Sequence, residues 1–336
     1  MVNLTLIMNV TRSSLSKCTI RPPWHHSCAV QSALNRINMR PKLLVIVGIF
    51  LSVTTSAVHA QKQFSVFASI ADVTGAPVAA LQPADVQIVE NGLEAKIVKV
   101  EPTNWPIKIQ LLVDNGIGLG ASNITLLKDG ILGLLDALPP GAEVTIASTA
   151  PQPRVLARAT TDRQAMLKGL ALLAPDRGAG RFLEALMDAT QRIERDKGDY
   201  FPVIVLAGTT AGDLLVLDSD LDRLMKRLEQ RPTTVHIVLL SGQVQSTIGG
   251  ANQTQIGLAV TQYTHGKFDN INGATRLATL LPEIGALVAK AHETQSRQFR
   301  ITVDRPAGAS GDVGNVSIVT RSGLIATGLS FDGRIP

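Results

Sequence analysis

Lys108-Ile109-Gln110-Leu111-Leu112-Val113-Asp114 is the stretch that decides the fold. It is a short apolar run rich in branched side chains, and it ends on a carboxylate followed by Asn115-Gly116-Ile117-Gly118-Leu119-Gly120. A buried strand running into a glycine-rich turn has this form. Further apolar runs follow at 144–148, 203–206 and 235–240. Between and after them lie segments of helical period, at 123–138, 162–173, 181–195, 219–230 and 275–291. In the first, Ile124, Leu127, Ile131, Leu134, Leu135 and Leu138 recur at i, i+3, i+4 spacing until Pro139-Pro140-Gly141 ends the helix. Strands that alternate with amphipathic helices predict an α/β fold, with a mainly parallel sheet and crossover helices.

The flanks of this α/β stretch read differently. Phe64, Val66, Ala68 and Ile70 alternate with Ser65, Phe67 and Ser69, and Gly75-Ala76-Pro77 turns the chain. Asn91-Gly92 marks a two-residue hairpin between runs 86–89 and 97–100. Alternation returns at Phe299, Ile301 and Val303, and again at Val316 and Ile318. The segment 304–315, with its glycines, reads as a β-hairpin loop. The expected organisation is an N-terminal β segment at 61–104, an α/β domain at 105–296 and a C-terminal β segment at 297–336, the two β segments forming one small unit into which the α/β domain is inserted.

The start of the chain has the composition of a targeting segment. Met39-Arg40-Pro41-Lys42 is basic, the run 43–53 is apolar, and 54–60 is rich in small residues. This predicts a signal peptide at 39–60 cut after Ala60, an extracytoplasmic (periplasmic or secreted) mature chain, and a start codon at Met39 rather than Met1, with 1–38 a mis-assigned leader. No integral membrane segment is expected after cleavage, because the apolar run is shorter than the roughly 20 residues a bilayer requires. The formal charge of +5 misleads, since Arg12, Lys17, Arg21, Arg36, Arg40 and Lys42 precede residue 61 with no acidic residue among them. The remainder is nearly neutral and offers no basic surface for nucleic acid. Cys18 and Cys28 also precede residue 61, so the mature chain has no disulfide, thiolate-zinc site or thiol nucleophile.

Three features appear in order: Gly75-x-Pro77-Val78-x-x-Leu81 with Val86-x-Ile88-x-Glu90-Asn91-Gly92, then the strand ending at Asp114, then Val203-Ile204-Val205-Leu206. With Tyr263-x-x-Gly266-x-Phe268 and Gln298-Phe299-Arg300-Ile301-Thr302-Val303, their order resembles the von Willebrand factor A (VWA)-related family of exported bacterial proteins. The resemblance implies a Rossmann-like α/β domain with helices on both faces of its sheet and a ligand face where strands feed helices. It also implies a metal-ion-dependent adhesion site, in which Mg²⁺ is held by Asp-x-Ser-x-Ser, a Thr from a later loop and an Asp after the fourth strand. Here the first motif reads Asp114-Asn115-Gly116-Ile117-Gly118, Gly180 falls at the Thr position, and Ala207-Gly208 stands where Thr-Asp is expected. Mg²⁺ demands oxygen ligands in near-octahedral geometry. Asp114 alone keeps its ligand type, so no metal or other cofactor is expected, a weak divalent-cation contact at Asp114 aside. Two roles remain open for Asp114: capping the following loop or the helix start near Asn123, or neighbouring a concavity of N–H groups from Gly116, Gly118 and Gly120 that accepts an acidic side chain.

Enzyme signatures are weak. Gly116-Ile117-Gly118-Leu119-Gly120 lacks the Gly-x-Gly-x-x-Gly spacing of a dinucleotide turn. His236, His265 and His292 are too scattered for a zinc pair, and His236 in an apolar strand reads as a core residue. Asp218, Asp220 and Asp222 suit the start of a helix better than a calcium ladder. The resemblance, with no enzyme signature set against it, therefore implies a non-enzymatic binding module for another protein or envelope macromolecule. Its binding face would be drawn from Asp114, Asn115, Gly116, Gly118, Gly180, Arg181, Gly208 and Thr209. The alternatives are a scaffold component of an envelope complex with a silent former metal face, and an enzyme of unrecognised type.

Overall fold

The computed structural model describes residues 5–8, 62–211, 218–241 and 247–334, so the predicted signal peptide and both cysteines lie outside the described residues. The chain forms two sheets. One contains β5 (Ile107–Val113), β6 (Glu143–Ser148), β7 (Arg154–Thr160), β8 (Phe201–Thr209), β9 (Thr234–Leu240) and β10 (Phe268–Ile271), in the order β10-β9-β8-β5-β6-β7. All neighbours are parallel except β7, which runs antiparallel to β6. The strands that the sequence places at 107–113, 144–148, 203–206 and 235–240 are the four in the middle.

β5 is central because alternate side chains serve two cores. Ile109, Leu111 and Val113 pack against α1 (Ile124–Ala137) and α6 (Leu277–Gln295) on one face, while Leu112 meets α3 (Phe182–Arg195) on the other. Ile109, Leu111 and Leu112 are wholly buried, and each contributes roughly 1.5–3 kcal/mol. α2 (Arg163–Ala171) joins the first core, and α4 (Asp218–Gln230) and α5 (Thr247–Tyr263) join the second, giving the Rossmann-like layering. α1 and α6 approach closely through glycines: a Cβ at Gly130 would lie 2.6 Å from the Leu277 carbonyl oxygen, and one at Gly285 would lie 2.6 Å from that of Leu134.

The second sheet is built from both ends of the chain: β1 (Thr5–Met8), β2 (Gln63–Asp72), β3 (Val86–Glu90), β4 (Leu93–Pro102), β11 (Phe299–Asp304), β12 (Val316–Thr320) and β13 (Leu324–Ser330). Its order is β1-β12-β3-β4-β11-β2-β13, and its end strands approach one another so that it curls toward a barrel around Val66, Ile88, Ile301 and Ile318. β3 and β4 form the expected hairpin, with positive φ at Asn91 (50°) and Gly92 (84°), the requirement of a two-residue turn matched to strand twist. Segment 304–315 is not a hairpin loop. β11 lies between β4 and β2, and β12 lies beyond β3, so this segment crosses over the sheet.

The two units meet at Trp105, whose ring packs at 5.8 Å from Phe67 and 5.3 Å from Phe201, with the Arg300 guanidinium 4.8 Å above it. Thr103 fixes the same strap by donating its hydroxyl to the Gln295 carbonyl at 2.6 Å. No helix among the described residues is long and apolar enough to cross a membrane.

Candidate functional site

The chain leaves β5 for β6 on one side and returns to β8 on the other, so the C-terminal end of β5 is a switch point of the sheet, where α/β folds form their crevices. Asp114 stands there, with its N–H donating to the Ala207 carbonyl at 2.8 Å as a continuation of the ladder. Its carboxylate is only 4% exposed. Oδ1 accepts the Gly116 N–H at 2.8 Å, and Oδ2 accepts the Thr209 hydroxyl at 2.7 Å and the Thr209 N–H at 3.2 Å. Asp114 thus caps the loop that follows it and the end of β8, not the helix start near Asn123. Thr149, whose buried hydroxyl has no hydrogen-bond partner of ordinary geometry, sits beside it and was not anticipated from the sequence.

The glycines of this cluster are contact surfaces. A Cβ on Gly180 would lie 2.5 Å from Cγ, Oδ1 and Oδ2 of Asp114, so the Gly180 backbone closes the carboxylate from that side. One on Gly116 would lie 2.6 Å from the Gly178 carbonyl oxygen, and one on Gly118 would lie 2.3 Å from the Thr209 hydroxyl. Gly208 stands apart: its Cβ would point at Leu206 and Leu239 in the second core, so Thr209, not Gly208, faces Asp114.

Asn115 is also turned inward. It is 7% exposed, its amide nitrogen donates to the Ala174 carbonyl at 2.7 Å, and its side-chain oxygen accepts the Ala150 N–H at 3.3 Å. It clamps the loop after β6 to the loop before α3. Of the three N–H groups expected to form an anion-binding concavity, that of Gly116 is taken up within the loop. The Gly116 N–H is taken by Asp114, the Ile117 N–H by the Gly178 carbonyl, and the Leu119 N–H by the Gly116 carbonyl. Arg181 lies at the rim, exposed, its N–H bonded to the Thr149 carbonyl and its Nε 3.3 Å from the Pro151 carbonyl.

The metal that the resemblance implies does not fit the described residues. The Asp114 oxygens already face N–H and O–H donors, whose positive ends favour an anion over a cation. Among the described residues no group of three or more His, Cys, Asp or Glu is placed to hold a metal. His236 is a satisfied core residue: its Nδ1 accepts the Lys267 N–H at 3.0 Å, and burial first, with the charge of Lys267 second, lowers its pKa to about 4.

Burial raises the Asp114 pKa above its ordinary value of 3.8, outweighing the opposing hydrogen bonds from Thr209, Gly116 and Thr149. A raised carboxyl pKa means that, as pH falls through it, the native state takes up the proton before the unfolded chain does, and stability is gained. We expect Asp114→Asn, which carries no such proton, to lose ground to the wild type between about pH 7 and pH 4. Urea midpoints at both pH values check this, and parallel profiles for the two proteins would contradict it.

No family model matches the sequence, and no curated protein matches it. Among solved structures the chain is similar to a von Willebrand factor type A protein from Catenulispora acidiphila, at 12% identity over 79% of this chain and 73% of that one, with a TM-score of 0.47. It is similar to the VWA domain of SpRpn10, at 16% identity over 52% of this chain and 95% of that domain, with a TM-score of 0.42. It is also similar to the pilus adhesin SpaC from Lactobacillus rhamnosus GG, at 11% identity over 74% of this chain and 44% of the adhesin, with a TM-score of 0.45. At such identities no side chain's role passes from those proteins to this one.

Proposed function

We propose that this chain is a non-enzymatic binding module of the cell envelope or exterior, which captures another protein or envelope macromolecule at the C-terminal edge of its parallel sheet without a bridging metal. The observation that carries this reading is the closed state of Asp114: the carboxylate is 4% exposed, and both of its oxygens accept hydrogen bonds from Gly116 and Thr209. In this reading Asp114, Asn115, Gly116, Gly118, Gly180 and Thr209 shape the face from within. Contact falls to the rim, where Ile117 is 46% exposed and Arg177 and Arg181 face solvent. An exposed apolar side chain and two exposed arginines on the loops of this edge suit a partner surface that combines an apolar spot with carboxylates.

Capture from envelope extracts, run with and without a chelator, tests it. We expect capture to survive chelation and to fall at least about tenfold in Arg181→Glu, with the circular dichroism spectrum unchanged. Calorimetry with Mg²⁺ should show no site tighter than millimolar. Abolition by chelator, or a micromolar Mg²⁺ constant, would overturn the metal-free reading. Capture indifferent to Arg181→Glu would favour a scaffold with a silent face, and turnover by the purified protein would favour an enzyme.

A further inference from the structure

β7 is the outer strand of the six-stranded sheet and pairs only with β6. On one face α2 covers it, with Ala157 packed among Met166 and Leu170. On the other face α3 lies over β5 and β8, leaving a groove of about 270 Å³ between α3 and β7. Val155, 41% exposed, and Ala159 provide apolar surface there. The charges along it are unevenly matched. Lys108 is held by Asp196 at 2.6 Å and Glu143 at 3.3 Å. Arg192 pairs with Asp188 and donates Nε to the Gln110 side chain at 2.8 Å, yet its buried second terminal nitrogen meets no acceptor. Arg158 lines the groove, exposed and with no acidic partner among the described residues.

We propose that the free edge of β7, beside this groove, is a second docking site, separate from the Asp114 edge, which takes an extended acidic segment of a partner protein as an added strand. An outer strand keeps a row of unpaired N–H and C=O groups, and strand addition uses them for affinity while alternate side chains give specificity. A carboxylate from the added strand supplies the counter-charge that Arg158 lacks. An apolar neighbour two positions along covers Val155. A second copy of this chain is a poor occupant, because β7 carries Arg154 and Arg158 and two such edges would repel.

The probe is a fluorescent peptide of about eight residues alternating Glu and Val, with a Lys/Val peptide and free glutamate as comparators. We expect the protein to bind the Glu/Val peptide, with affinity at least about tenfold weaker in Arg158→Glu and unchanged in Arg181→Glu. Amide exchange should slow in β7 when the peptide is bound. The proposal is overturned by no binding, by equal binding of the Lys/Val peptide, by competition from glutamate at the same concentration, or by indifference to Arg158→Glu. Arg181→Glu separates it from the proposed function, since failure at one face leaves binding at the other intact.

Discussion

The triple variant Gly116→Ser/Gly118→Ser/Gly180→Thr, which restores the missing hydroxyls, is expected to lose several kcal/mol of stability and to gain no tight Mg²⁺ site. A Cβ at Gly180 would meet the Asp114 carboxylate at 2.5 Å, one at Gly116 the Gly178 carbonyl oxygen at 2.6 Å and the Gly180 nitrogen at 2.9 Å, and one at Gly118 the Ala211 Cβ at 2.6 Å. Most of these obstacles are backbone or stiff groups, so a rotamer change cannot relieve them. Overpacking of this kind costs about 1–3 kcal/mol per site. The three positions share Asp114, Thr209 and the loop at 178–180 as neighbours, so the losses will not add simply. Denaturant midpoints of each single variant and the triple, with calorimetry on whatever remains folded, decide the matter. A triple variant as stable as the wild type, binding Mg²⁺ at micromolar concentration, would show that the loops can reopen into a metal site. The glycines are thus both absent ligands and the condition for closing the loops over the carboxylate.

That second role was not legible in the sequence. The row Asp114-Asn115-Gly116-Ile117-Gly118 shows that hydroxyls are missing, but the distance from Gly180 to Asp114 depends on how two loops settle. The orientation of Gly208 had the same difficulty, because one residue along a strand reverses the face it presents. The fold was more legible where core-facing residues are apolar, as in β5 and α1. It was hidden where they are not. The buried side of α5 carries Gln253, Ile256, Val260 and Thr261, with Thr264 just past its end, at helical spacing but half polar. Thr261 and Thr264 are accommodated by donating their hydroxyls to the Gly257 and Val260 carbonyls of the preceding turn, at 2.8 Å each. β7 escaped because it is an outer strand with an irregular register, in which only Ala157 is buried.

Glu90→Ala is expected to destabilise the protein by about 3 kcal/mol, the lower end of the range for removing one member of a buried ion pair. The Glu90 and Arg305 side chains are 1% and 5% exposed. Arg305 donates Nε to both Glu90 oxygens at 3.1 Å, and its terminal nitrogens hold the Gly311 and Asp312 carbonyls at 2.8 and 3.2 Å. The Gly314 N–H donates to Glu90 at 3.2 Å. One carboxylate thus ties Arg305 and the crossover segment between β11 and β12 to β3, and without it the buried guanidinium loses its carboxylate partner. The hydrogen bond from Arg305, helped by Gly314, holds the Glu90 pKa below its ordinary 4.5 against the cost of burial. A lowered carboxyl pKa contributes stability that is complete above the unfolded value and disappears as pH falls through the folded one. The loss in Glu90→Ala should accordingly be largest at neutral pH and shrink below about pH 4. The variant Glu90→Ala/Arg305→Leu should be more stable than Glu90→Ala, because a buried charge without its carboxylate is gone, but less stable than wild type, because the bonds to Gly311, Asp312 and Gly314 go with the pair. Denaturant midpoints for the wild type and these two variants, at neutral and acid pH, measure both effects. Equal losses at the two pH values, or a double variant no better than Glu90→Ala, would mean that the pair is solvated and the crossover is held by other contacts.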